Sequence, residues 1–165
     1  KVSINLSMKD LLNPELPYLV AGLTAKIGID PSWVMFEITE GSIMTDPTRA
    51  LIIVERLKGM GFDFSIDDFG TGYSSMAYLK RLPVSELKID KSFVLDMMTS
   101  DSDTIIVQAT IGLAHNLGLT VTAEGVEDEQ ALQKLDAMGC DIAQGYFFSR
   151  ALPKAELLNW ITANS

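Results

Sequence analysis

Six short runs of β-forming residues alternate along this chain with amphipathic helical runs, and inside the strand-like runs apolar and polar residues alternate one by one. The strand-like runs are Val2–Leu6, Val34–Ile38, Phe62–Asp67, Glu86–Asp90, Leu119–Glu124 and, more weakly, Asp141–Gln144. Helical patterns fill about 10–27, 46–59, 74–82, 102–117, 128–138 and 153–162. Strands separated by helices pair in parallel through right-handed crossovers. That leaves a doubly wound sheet or a (β/α) barrel. An open parallel sheet covered by helices on both sides reads apolar on both faces. Here Val34, Phe36 and Ile38 oppose Met35 and Glu37; Phe62, Phe64 and Ile66 oppose Asp63, Ser65 and Asp67; Leu87 and Ile89 oppose Glu86, Lys88 and Asp90; Leu119, Val121 and Ala123 oppose Thr120, Thr122 and Glu124. One apolar face and one polar face, with charges late in the strand, fit a barrel whose inner face opens into a site at its C-terminal mouth. The last run departs from the rule, since Ile142 and Gln144 share parity.

Helix punctuation agrees with this rhythm. Asp46-Pro47 pairs an N-cap residue with proline at the first helical position, and Pro153 is expected to open the last helix in the same way. The helix face around Leu51, Val54, Leu57 and Lys58 precedes Gly59 and Gly61, which with Gly118 and Gly139 sit where C-terminal stops belong. A closed barrel of this kind takes eight strands and about 250 residues. Only six units are visible in 165 residues, and the chain opens on Lys1 inside a strand without a starting Met. The expectation is therefore a TIM-like (β/α) barrel, incomplete at the N-terminus, forming one domain over 1–165 and belonging to a longer protein.

The late polar residue of each strand gives Asn5, Glu37, Asp67 with Asp68, Lys88, Glu124 and Gln144. Adjacent carboxylates at a strand end repel each other, and burial would keep one protonated. Divalent cations relieve that, and oxygen ligands without His or Cys point to Mg²⁺ or Mn²⁺. So many acids suggest two ions, the arrangement that serves in-line attack on phosphodiesters. Each residue alone has a blander role: Asn5 as a turn cap, Glu37 as a buried partner of Lys88, Glu124 as a loop acid. Their shared position at one end of six strands favours a site. His115 reads as a helix C-terminal residue answering the dipole, Cys140 as a small buried residue, and Met97, Met98, Phe147 and Phe148 as packing, while Tyr146 is a candidate pocket residue. Asp101 and Asp103 read as a solvated helix start.

Composition narrows the partners. A net charge of −9 without a basic cluster argues against duplex nucleic acid, and a phosphate ester would need metal ions to approach so acidic a protein. No apolar run approaches the roughly 18 residues needed to span a bilayer. The single cysteine fits a reducing compartment, so a cytoplasmic location is expected.

The segments Asn5-Leu6-Ser7, Glu37-Ile38-Thr39-Glu40, Asp67-Asp68-Phe69-Gly70-Thr71-Gly72, Leu87-Lys88-Ile89-Asp90, Glu124-Gly125-Val126-Glu127 and Gln144-Gly145-Tyr146 resemble, in order, the motifs of the EAL domain. That family comprises bacterial phosphodiesterases specific for cyclic di-GMP on a modified (β/α) barrel. The resemblance implies that Asn5, Glu37, Asp67, Asp68 and Glu124 hold or adjoin two Mg²⁺ or Mn²⁺ ions, that Lys88 positions the attacking water or stabilises the phosphate, and that Gln144 supports the water network. Lys88, Glu124 and Gln144 are thus the implied catalytic residues. It implies that Glu40 and Glu127 anchor loops, Glu40 the loop 68–75, and that the stretch Phe69, Gly70, Thr71, Gly72, Tyr73, Ser74 and Ser75 couples homodimerisation to activity. An upstream sensory or GGDEF-type domain is implied too, as is a domain without membrane contact of its own. Ala151 stands where the family usually has proline. The Glu-Ala-Leu strand itself is absent, which removes one ligand, so this chain as it stands is expected to be impaired. Two other readings compete: a receptor that binds cyclic di-GMP without cleaving it, and a one-metal lyase on the same barrel.

Overall fold

The computed structural model describes residues 1–72 and 76–164, of which 76 and 77 are described by backbone alone. Its strands are β1 (Val2–Leu6), β2 (Val34–Thr39), β3 (Asp63–Phe69), β4 (Glu86–Ile89), β5 (Thr120–Glu124) and β6 (Ile142–Gln144). They form one parallel sheet in the order β1-β2-β3-β4-β5-β6. Each strand neighbours the next in sequence, as in a barrel wall; a doubly wound sheet would reverse its order at a switch point. The fold is thus six strands of a TIM-like barrel, with β1 and β6 at its edges.

The helices are α1 (Met8–Leu11), α2 (Leu16–Ile27), α3 (Glu40–Thr45), α4 (Pro47–Gly59), α5 (Met76–Leu79), α6 (Lys91–Asp96), α7 (Asp101–Asn116), α8 (Glu129–Ala137) and α9 (Lys154–Ala163). The outward strand residues pack under them. Phe36, Ile38, Phe62 and Phe64 join Leu11, Ile43, Val54 and Leu57 in one cluster, where the Phe36 ring lies 5.3 Å from Phe62 and 5.6 Å from Phe64. Ile66, Leu87, Ile89, Val121 and Ala123 join Val94, Val107, Ile111 and Leu135 in a second. Leu82 and Val84 pack against both.

Several sequence expectations shift. The run 10–27 is two helices, because Asn13-Pro14 interrupts it. The helices α3 and α6 were not anticipated: at six residues each they are too short to show periodicity, and they form because Thr39 and Asp90 cap them. Asp46 does cap α4, accepting from the Arg49 N–H at 3.1 Å. Pro153, by contrast, is the N-cap of α9 rather than its first residue, and makes no side-chain cap bond. Gly59 is the last residue of α4; it is Gly61 that takes the left-handed conformation. Phe147, Phe148 and Met98 are each at least 41% exposed, whereas Met97 is buried as expected. Cys140 is half-buried, and burial raises its thiol pKa. His115 lies in the last turn of α7 but also meets Asp141, whose Oδ2 lies 2.9 Å from its Nε2 and accepts from the Val121 N–H at 2.8 Å. Residues 74 and 75 of the expected helix 74–82 lie outside the described residues.

Beyond β5 and β6 the ladder continues: the Val126 N–H donates to Gln144 O at 3.0 Å and the Phe147 N–H to Val126 O at 3.0 Å. This zips together two loops at the mouth, and it brings Gly145 so close that a Cβ there would lie 2.1 Å from Val126 O. Gly145→Ala is expected to destabilise the protein by about 3 kcal/mol, the upper range for forced overpacking. Denaturant unfolding measures it; a loss below about 0.5 kcal/mol, ordinary for a surface change, would contradict the close approach.

Candidate functional site

Parallel register carries the inward face across the sheet: Asn5 aligns with Glu37, Lys88 with Thr122, and Glu124 with Gln144. The same register puts Ile142 beside Thr122, on the inner face one layer below Gln144. The parity of the last run is therefore regular, and its inner lower layer simply carries an isoleucine.

At the mouth β3 breaks its own alternation. Ile66 pairs with Leu87 and Phe69 with Ile89, so Asp67 and Asp68 together oppose Lys88. This is a bulge, and such an extra residue redirects a side chain. In a regular strand the two neighbours would face opposite sides. Asp68 takes φ 53°, the only positive φ among described residues other than glycine, a conformation aspartate tolerates better than most side chains. As a result carboxylate oxygens of Asp67, Asp68 and Glu124 lie within 4.8 Å of one another.

Lys88 reaches up from β4 into this group. Its Nζ lies 2.8 Å from Glu37 Oε1, 3.2 Å from Asp67 Oδ1 and 2.5 Å from Glu124 Oε1, with only 5% of its side chain exposed. Burial disfavours its charge, but hydrogen bonds to Glu124 and Glu37 and the charges of Glu124 and Asp67 prevail and hold its pKa well above the usual lysine value. Burial raises the Glu124 pKa, helped by Asp67 and Glu37 and only partly opposed by Lys88. Asp68 is raised first by burial, then by the charge of Asp67 and by Asp90.

Asp90 was the overlooked member. Burial raises its pKa, but hydrogen bonds from Ser92 and from Asp68 outweigh that and leave it lowered. Asp68 and Asp90 thus push each other's acidity in opposite directions, and Asp90 also caps α6 by accepting from the Ser92 N–H at 2.9 Å. Strand parity had already put Asp90 inward with Glu86 and Lys88; choosing one late polar residue per strand hid it.

The remaining expected residues are placed as follows. Asn5 and Gln144, on the edge strands, are exposed. Glu40 is buried, and its Oε2 accepts from the Gly72 N–H at 2.9 Å. Phe69 is a core residue ending β3. Gly70 has φ 99° and sits against the Phe93 ring, and the Thr71 hydroxyl donates to Asp68 O at 2.9 Å. Tyr73, Ser74 and Ser75 lie outside the described residues. Glu127 is exposed and makes no hydrogen bond among the described residues; it lines a cavity of about 300 Å³ with Lys91, Glu124, Gln144 and Tyr146. Glu124 is thus shared between the carboxylate cluster and this cavity, and the Arg150 guanidinium stacks 4.3 Å from the Tyr146 ring centre.

The donor set suits a hard divalent cation. It is all oxygen and closely spaced, and the buried Asp67 Oδ1 accepts no hydrogen bond among the described residues.

A parallel barrel wall with a carboxylate-lined C-terminal mouth defines a (β/α)-barrel protein of the kind that binds its ligands at that mouth. More narrowly, this chain belongs to the EAL domain family, which matches residues 1–151. The bifunctional diguanylate cyclase/cyclic di-GMP phosphodiesterase MucR of Pseudomonas aeruginosa is 41% identical over 157 residues, which is 95% of this chain and 23% of MucR. The cyclic di-GMP phosphodiesterase RocR of the same organism is 34% identical over 163 residues, 99% of this chain and 42% of RocR. The chain spans less than half the length of these curated relatives. Among solved structures, the PaMucR phosphodiesterase in complex with c-di-GMP matches with TM-score 0.92 at 40% identity, over 95% of this chain and 64% of that one. The Klebsiella pneumoniae BlrP1 manganese/cy-diGMP complex matches with TM-score 0.84 at 31% identity, over 91% of this chain and 38% of that one.

The Glu40–Gly72 bond ties α3 to the loop that follows Asp68. Glu40→Ala is expected to speed amide hydrogen exchange at Gly72 about tenfold or more, the loss of one charge-assisted bond. Unchanged protection, read by exchange mass spectrometry of the 68–72 segment, would mean that other contacts hold the loop.

Proposed function

We propose that this domain serves the metal-dependent hydrolysis of cyclic di-GMP to linear pGpG. The observation that carries the reading is the convergence of Asp67, Asp68 and Glu124 beside a buried ammonium at the mouth of an EAL-family barrel. The names of MucR and RocR, and the c-di-GMP complexes of PaMucR and BlrP1, support the substrate. Asn5, Glu37, Asp67, Asp68 and Glu124 are the residues that would hold two ions, with Mg²⁺ or Mn²⁺ the expected metals. Once bound, the ions would supply charge for the phosphate and acidity for an attacking water.

The chain's own side chains have separate tasks. Glu37 and Asp67 orient Lys88, and the Lys88 ammonium lies where it can offset negative charge growing on a phosphate oxygen. Gln144 sits beside Glu124 in register and can fix water at the rim. The cavity next to Glu124, with Tyr146 on its wall, offers room for part of the substrate. Positioning and electrostatics, rather than covalent catalysis, are what such a site contributes. The reading also makes the domain a cytoplasmic module of a larger signalling protein, alongside a sensory or GGDEF-type domain, that works as a homodimer through the loop 68–75. No described helix is long and apolar enough to cross a membrane.

In the intact protein, Asp67→Asn is expected to lower cyclic di-GMP turnover by about 10²-fold or more, the scale of losing one preorganised charged group. Chelation should abolish turnover, and Mg²⁺ or Mn²⁺ should restore it. Chromatography of pGpG follows both. Undiminished turnover in the variant would refute the assignment, and saturable binding of cyclic di-GMP without pGpG in either metal would identify a receptor instead.

A further inference from the structure

The short helix α6 stands between the two loops that carry Asp68 and Glu124. On one side its Phe93 ring lies against Gly70, where a Cβ would come within 3.0 Å of the ring carbon Cε2. On the other side Lys91 lies against Gly125, where a Cβ would come within 2.6 Å of Lys91 Cβ and 3.2 Å of Lys91 Cα. Gly70 closely follows Asp68, and Gly125 is next to Glu124. The helix is therefore packed on both loops that supply Asp68 and Glu124 to the carboxylate cluster. Its Lys91 and Leu95 also line the cavity that Glu124 shares.

A helix of six residues has little stability of its own. Its place is set from outside. Val94 and Met97 are buried in the core and fix its inner face. Asp90 caps its first turn. The far end is closed from another helix. Lys134 on α8 donates to Met97 O at 2.7 Å and to Thr104 Oγ1 at 2.8 Å, and the Thr104 hydroxyl donates to the same Met97 O at 2.7 Å. Lys134 is half-buried and forms no ion pair among the described residues. Its charge answers the exposed carbonyl of a helix end, where a cation is favoured.

We propose that Lys134 is a positioning residue for the metal site: by closing the C-terminal end of α6 it holds that helix as a wedge that sets the spacing of Asp68 and Glu124. The inference rests on the metal-dependent reading above and gives it a support outside the site, since Lys134 touches none of the carboxylates. Ligands must be held to within about 0.5 Å by the groups behind them. A wedge free to slide at one end would let the two loops drift apart or together. A lysine that only packs helices would act differently, because its loss would loosen the whole fold and leave metal affinity unchanged.

The test compares wild type and Lys134→Met in the intact protein; methionine keeps an unbranched apolar stem and removes the donors. Hydrogen exchange is read by mass spectrometry over 91–97, 68–72 and 124–127, with α4 as control because it belongs to the other core cluster. Titration calorimetry measures Mn²⁺ binding. The inference expects exchange about tenfold faster or more in α6 and in both loops, with α4 unchanged. It expects Mn²⁺ affinity to fall about tenfold, the low end for losing an outer support of metal ligands. Unchanged Mn²⁺ affinity, or faster exchange spread equally over α4, overturns the inference and leaves the metal-dependent reading standing. Absence of Mn²⁺ binding in the wild type overturns both. Should Lys134→Met not fold, Thr104→Val removes the other donor to Met97 O and is read by the same measurements: a local gain in exchange with weaker Mn²⁺ binding supports the inference, and unchanged binding refutes it.

Discussion

One ammonium ties four strands together. Lys88 on β4 bonds Glu37 on β2 and Glu124 on β5 and lies beside Asp67 on β3. Its side chain and those of its partners are all less than one-fifth exposed. Two opposite charges 4 Å apart attract by about 4 kcal/mol in the effective dielectric near a protein surface, and desolvation consumes much of such a gain. The cluster is therefore weak evidence of stability. What it fixes is geometry: one positive charge draws carboxylates from separate strands to a common point, and the closely paired Asp67 and Asp68 follow from where β3 must end to meet it.

The bulge solves a problem that alternation creates. A strand can present only every second residue to the barrel interior, yet the site uses two consecutive aspartates. Setting both against Lys88, with Asp68 in the left-handed region, turns both carboxylates to the mouth and returns Phe69 to the core. Glycines then let the loops crowd in behind. Gly125, at φ 77°, lies so near Lys91 that a Cβ would come within 2.6 Å of the lysine Cβ. Gly145 meets the Val126 backbone in the same manner. The mouth is thus built from backbone approaching backbone, which leaves the carboxylates little freedom to part.

What could be read from the sequence was whatever has a period. Strand parity located Asn5, Glu37, Asp67, Lys88 and Glu124 on one face; Gln144 was reached only as the late polar residue of a run that departed from the rule, and register places all six together. Parity also held Asp90, which a rule of one residue per strand discarded. The bulge was illegible because it is a break in periodicity, visible only as two acids side by side. The short helices α3 and α6 were illegible for a related reason: six residues give fewer than two turns, and their existence rests on single caps at Thr39 and Asp90. Ion pairing was the hardest to read. Glu37 was open to two roles, ligand or partner of Lys88, and spacing along the chain does not distinguish them, because both ask for a buried carboxylate at the same place.

The distribution of charge across the sheet adds a last constraint. The central strands β2 to β5 carry the charged residues, where burial makes each of them costly to leave unpaired. The edge strands carry Asn5 and Gln144, neutral amides that stay exposed at no such cost. Going inward from either edge, a ligand meets amides first and a concentrated negative charge after them. One ammonium cannot neutralise Glu37, Asp67 and Glu124, and the chain as a whole adds −9. An anionic phosphate ester, the substrate proposed for this site, would be repelled from the bare cluster by the same carboxylates proposed to hold its metal ions. Attraction appears only once divalent cations reverse the sign of the local field. Electrostatics therefore imposes a sequence of events on any phosphate chemistry here: cations before substrate, with Lys88 the one positive side chain that meets the carboxylate cluster among the described residues.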